Sequence, residues 1–260
     1  MRNRIKPSLG AVLLLLGLVA GLQAADTLNL TSAGANSVMG GVYTSPYGIS
    51  VNGGPTTLMI CDDFTTDISV GLTWTANQTT LTQISDASVA GLKFASSPYN
   101  ITPGIVGGPS NVVADYATAA VLAAQLLTLP NVGTVGEDSA VAGEISYALW
   151  AVFDTKLLQN TDTGYGTLTT GQLTAAQGYL AAAQGLVSAA TSGGVTDLTH
   201  ISINGQSIAG LTIYTPDPKN TSQEFLRVSM PEPSYPTVLA IDLLAVVGLV
   251  VALRRRAALN

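Results

Sequence analysis

The sequence predicts an α+β fold. An antiparallel β-sheet or sandwich, formed by N- and C-terminal strands, surrounds a three-helix central insertion. Three observations predict it. Residues 42–74 read as short β-rich runs broken by turn residues, residues 114–190 switch to a helical period, and after Gly193-Gly194 the chain returns to strands around an Asn204-Gly205 hairpin signal. To this body the reading adds an N-terminal signal peptide and a C-terminal transmembrane helix.

In chain order, Arg2, Arg4 and Lys6 precede an apolar run over 9–20 and then the small residues Ala24 and Ala25. That three-part pattern is a secretory signal peptide over 1–25. Its apolar run is shorter than the ~20 residues that a bilayer span needs. Residues 26–40 read as a flexible leader and 41–229 as one exported globular domain. Within the domain, Tyr47-Gly48 and Asn52-Gly53-Gly54-Pro55 punctuate the first strands. The run 57–64 alternates, with Met59 and Cys61 on one face and Leu58, Ile60 and Phe64 on the other. The clearest strand is 68–74, where apolar residues alternate with small polar ones up to Trp74.

The first helix is expected over 114–129, stopped by Pro130. Ala142, Ile145, Leu149 and Val152 make one stripe of the second, with Trp150 beside it. The third begins near Gly171 and carries Leu173, Ala176, Leu180, Ala183 and Val187. Its glycines Gly178 and Gly185 lie seven apart, which marks either a close backbone approach or compositional drift. The closing strands are expected over 199–203, 208–214 and 223–228. Trp74 and Trp150 both sit in apolar patterns and read as core.

Charge narrows the function classes. The chain holds ten Lys and Arg against sixteen Asp and Glu. Most of the basic residues lie in the two ends, so between them only Lys93, Lys156, Lys219 and Arg227 face the acids. A surface this acidic repels phosphate backbones and argues against nucleic-acid binding.

The C-terminal stretch reads Pro231-Glu232-Pro233, then a segment over 238–253 that is apolar except for Asp242, then Arg254-Arg255-Arg256. This order resembles the PEP-CTERM sorting signal of Gram-negative bacteria. The resemblance implies a tail over 230–260 with its motif at 231–233, a transmembrane helix at 236–253 and a basic cluster at 254–256. It further implies processing by an exosortase-like enzyme after signal peptidase, initial anchoring in the inner membrane, and delivery to the cell envelope or extracellular matrix, where extracellular polysaccharide is a candidate partner. Three arginines favour the cytoplasmic side, which places the preceding domain outside. Asp242 is costly in mid-bilayer unless neutralised or near an interface.

Cys61 is the only cysteine, so an intramolecular disulfide is excluded. The segments Ile60-Cys61-Asp62-Asp63-Phe64 and Ile145-Ser146-Tyr147-Ala148-Leu149-Trp150 together resemble the thioester domains of bacterial surface adhesins, in which a Cys and a helical Gln condense. The resemblance aligns Ala148, Leu149 and Trp150 with that family's Ala-Ile-Trp and puts Ser146 where the Gln belongs. A serine cannot supply the acyl carbon, so Cys61, Ser146 and Trp150 mark related architecture without the covalent chemistry unless Gln125, Gln159 or Glu144 replaces the Gln. Asp62-Asp63 invites a calcium reading, but adjacent strand residues point to opposite faces. A Cys61–His200 hydrolase dyad is formally available, with no motif to orient it. The expectation is therefore a non-enzymatic exported protein with no catalytic residues, no cofactor and no metal: an adhesion, polysaccharide-associated or structural envelope component. The alternatives are a covalent adhesin and a secreted hydrolase.

Overall fold

The structure is a computed structural model that describes residues 25–33, 38–84, 91–95, 109–134, 136–159, 168–191, 198 and 201–228. Among the described residues the strands are β1 (Asp26–Ser32), β2 (Val38–Met39), β3 (Val42–Tyr43), β4 (Tyr47–Val51), β5 (Thr56–Cys61) and β6 (Thr73–Thr80). Helices α1 (Pro109–Leu127), α2 (Ser139–Phe153) and α3 (Thr170–Thr191) follow. The chain then returns to β7 (Ser202–Ile203), β8 (Gln206–Ser207), β9 (Leu211–Pro216) and β10 (Phe225–Val228).

Six of these strands close into a barrel in the order β1-β4-β5-β10-β9-β6, every pairing antiparallel. This corrects the expected sheet or sandwich, and β1 is the reason. Leu28 pairs with Val51 of β4 on one side and with Trp74 of β6 on the other, so the residues expected to form a flexible leader close the ring and leave no free edge. The expected helical insertion does lie between β6 and β9. No helix among the described residues is long and apolar enough to cross a membrane. The expected transmembrane helix therefore has no support in the structure. The expected signal peptide over 1–25, apart from residue 25, and the expected tail over 230–260 lie outside the described residues.

The alternation of 57–64 shows how the strands sort two cores. Met59 and Cys61 turn into the barrel with Leu28, Leu30, Tyr47, Ile49, Trp74 and Phe225. Ile60 turns outward, together with Ile213 and Leu226, against the helices. The strand expected over 68–74 instead begins at Thr73, because Gly71 adopts a φ of +92° that turns the chain just before it. Asn52 and Gly53, both at positive φ, make the tight turn between β4 and β5, and Asn204-Gly205 make the one between β7 and β8.

α2 begins where Asp138 accepts from the N–H groups of Ala140 and Val141 at 3.2 and 3.3 Å. From Ile145 to Phe153 every side chain is buried, as expected of a helix enclosed by α1, α3 and the barrel. Its Gly143 permits a close approach. A Cβ there would stand 2.6 Å from Met39 Cε, so the β2–β3 hairpin lies directly on the helix, and Tyr147 Oη donates to Met39 O at 3.3 Å. On α3 the expected stripe is in place, with Ala176, Ala183 and Val187 buried, whereas Gly178 and Gly185 face open space and mark no close contact.

Candidate functional site

The end of β5 is tied to α2 by a chain of buried hydrogen bonds. Cys61 N–H donates to Ser45 Oγ at 3.1 Å, Ser45 N–H donates to Ser146 Oγ at 3.2 Å, and Ser146 Oγ donates to Ala142 O at 2.8 Å. Trp150 Nε1 donates to Cys61 O at 2.9 Å. Cys61, Ser146 and Trp150, far apart in sequence, are thus brought together, with Ser146 holding the segment that receives the Cys61 backbone. The hydroxyl of that serine both accepts and donates within this scaffold.

The Cys61 thiol is 1 % exposed and donates to Asp63 O at 3.2 Å. Burial pushes its pKa well up, and the charge of Asp63 adds to the effect, so the reactive thiolate is suppressed. Of the residues considered as acyl partners, Gln125 keeps its carbonyl oxygen buried and unbonded, Glu144 is half-buried and Gln159 is exposed. His200 lies outside the described residues, as do Pro231, Glu232, Pro233, Arg254, Arg255, Arg256 and Asp242.

Just past the end of β5, Asp62 and Asp63 meet different partners. Asp63 accepts from Thr65 N–H and Thr65 Oγ1 at 2.8 and 2.7 Å and forms an ion pair with Lys93. Lys93 Nζ also donates to Thr66 Oγ1 at 2.8 Å and Ser222 O at 3.0 Å. An ammonium in an oxygen cage therefore occupies the place where a cation was considered. Among the described residues no three His, Cys, Asp or Glu side chains are arranged to hold a metal ion.

On the other side Asp62 lies against Glu224, the residue just before β10. Both are wholly buried. The Glu224 carboxylate accepts from Tyr116 Oη, from Thr215 Oγ1 and, at 3.2 Å, from Lys93 N–H. Neither oxygen of Asp62 meets a donor. Burial raises the pKa of both carboxyls, and on Glu224 the hydrogen-bond donors oppose that rise. Lys93, Tyr116, Thr215, Gln223 and Glu224 carry no local motif. Glu224 is placed by register alone: Cys61 pairs with Phe225, which puts residues 62 and 224 opposite each other.

Above this seam opens a cleft of ≈ 240 Å³ between the barrel rim and the β2–β3 hairpin. Tyr43, Phe64, Ile68 and Trp150 supply much of its apolar lining, and Asp63, Asp67 and Gln223 its polar groups. Tyr43 is 58 % exposed, and Tyr47 Oη donates to its carbonyl at 2.9 Å, which fixes the hairpin over the opening. Gln223 is oriented by its N–H bond to Asp63 O at 3.1 Å, which leaves its carbonyl oxygen unbonded. Asp67 stands exposed at the rim.

No family model matches the chain, and no curated protein matches it. Among solved structures, the chain is similar to the N-terminal domain of the Streptococcus pyogenes pilus tip adhesin Cpa. The identity is 12 %, the TM-score 0.42, and the alignment covers 81 % of this chain and 96 % of that one. A score of that size does not establish a shared fold.

Proposed function

We propose that this chain is an exported, non-enzymatic protein of the cell envelope or extracellular matrix, and that the cleft under the β2–β3 hairpin binds neutral polysaccharide. The lining of the cleft carries the reading. An exposed tyrosine ring and a half-buried phenylalanine offer faces for the C–H side of a sugar ring. The exposed Asp67 carboxylate at the rim is an acceptor, suited to hydroxyl donors. The excess of acid over base across the chain disfavours anionic polymers.

The non-enzymatic part is supported by the suppressed Cys61 thiol and by Ser146 standing where a covalent adhesin would need a carboxamide. Delivery rests on the sequence: Pro231, Glu232 and Pro233 as the motif read by an exosortase-like enzyme, with Arg254, Arg255 and Arg256 behind it.

Affinity electrophoresis through gels cast with neutral extracellular polysaccharide tests the binding. Retardation of the wild type and its loss in Tyr43→Ala are expected, since truncating an aromatic anchor costs about 2 kcal/mol or more. Equal mobility of the two proteins in every polysaccharide would remove the reading. Fractionation of cells carrying Glu232→Ala tests the sorting. Unchanged processing and location would contradict it.

A further inference from the structure

We propose that Asp62 and Glu224 share a single proton and form a pH-sensitive latch on the β5–β10 seam, closed when the proton is present and strained when it leaves. The inference stands apart from any ligand of the cleft. The geometry begins with register. Cys61 pairs with Phe225, and beyond that pair Asp62 N–H reaches Glu224 O at 3.4 Å, so the two carboxyls come off opposite strands toward each other in a fully buried site.

Their donors are unequally divided. Tyr116 Oη, Thr215 Oγ1 and Lys93 N–H all serve Glu224, while both oxygens of Asp62 have none. A carboxylate at 62 would be a bare buried charge against a second one. A carboxylic acid there donates to Glu224 and satisfies both groups with one proton.

Among the described residues the surroundings supply no substitute countercharge. Lys93, from the segment 91–95, spends its ammonium on Asp63 and on oxygens of Thr66 and Ser222. Among the described residues, Asp63 and the Cys61 thiol, on the β5 side, and the Tyr116 phenol, from α1, are the other titratable groups that bear on the pair, and none adds positive charge. Loss of the shared proton therefore places two like charges on facing strands where the barrel is joined to α1. Asp63 and Gln223, which line the cleft, are the sequence neighbours of the pair, so the seam and the cleft floor are one piece of backbone.

The direction of the pH effect follows from the carboxyls lying above their ordinary range, with burial the main cause. The folded protein keeps a proton that the unfolded chain releases. The stabilisation is complete below the ordinary carboxylate pKa of about 4 and is lost as pH climbs from there through the folded value. Across that window the unfolding constant rises by about tenfold per pH unit for one retained proton.

Urea titrations at a series of pH values, on wild type and Asp62→Asn, test the latch. The asparagine amide replaces the shared proton with a permanent donor, so the variant is expected to lose about one proton's worth of slope and to surpass the wild type at the alkaline end. Hydrogen exchange over residues 58–66 is expected to show wild-type protection falling below that of Asp62→Asn as pH rises. Should the variant fail to fold, infrared spectra of the wild type still decide the matter: the carbonyl stretch of a buried protonated carboxyl is expected to persist above the ordinary carboxylate range. Parallel slopes for the two proteins, or no such stretch, would overturn the proposal.

Discussion

Replacing Ser146 by alanine isolates the link between α2 and the Cys61 segment. Ser146 Oγ accepts from Ser45 N–H at 3.2 Å, and both residues are fully buried. The hydroxyl's own bond goes back to Ala142 O, a carbonyl in the helical ladder, so losing that bond matters little. The cost falls on Ser45, whose buried N–H loses its acceptor, at roughly 1–3 kcal/mol. The better helix propensity of alanine returns about 0.5 kcal/mol. A net loss of about 1–2 kcal/mol corresponds to a melting point lower by ~2–8 °C for a domain of this size. Circular dichroism melts measure it, with Ser188→Ala on the exposed side of α3 as the control. If Ser146→Ala melts no lower than that control, Ser146 does not hold the segment and the reasoning fails.

Two further outcomes follow from the same geometry. Leu28→Ala is expected to destabilise by about 2–5 kcal/mol, because Leu28 is fully buried inside the barrel; a flexible leader would show no change in a urea titration. Lys93→Met is expected to cost about 3–5 kcal/mol, since it leaves the buried Asp63 carboxylate without its countercharge, and the added double substitution Asp63→Asn should recover much of the loss in the same measurement.

The helices were legible because their signals are local. The stripe Ala142, Ile145, Leu149 and Val152 and the run Leu173 to Val187 each report on neighbours three or four residues away, and α2 and α3 lie where periodicity puts them, whereas α1 begins earlier than expected, at Pro109, and ends at Leu127, before Pro130. The faces of β5 were legible for the same reason.

Closure of the barrel was not, because it depends on a strand of seven residues whose alternation rests on Leu28 and Leu30 alone and whose partners lie up to 50 residues away. The segment 68–72 misled in the opposite sense. It alternates, but Gly71 at positive φ turns the backbone before a strand can form.

At the site, Cys61 and Trp150 could be singled out by residue type and by resemblance, and they do meet. The carboxyl pair could not. Asp62 looked like half of an Asp-Asp step, and its true partner, Glu224, faces it only through the register between β5 and β10. Lys93 likewise reaches Asp63 from a short segment with no secondary structure to announce it.

The claim that this is a non-covalent binder built around an inert thiol meets its most direct test in the protein's single cysteine. Intact mass and thiol labelling, native and then denatured, should find the unmodified chain mass, no labelling of folded protein and one labelled thiol after unfolding. A mass short by one ammonia with Cys61 still blocked after unfolding, or rapid labelling of the folded protein, would contradict it.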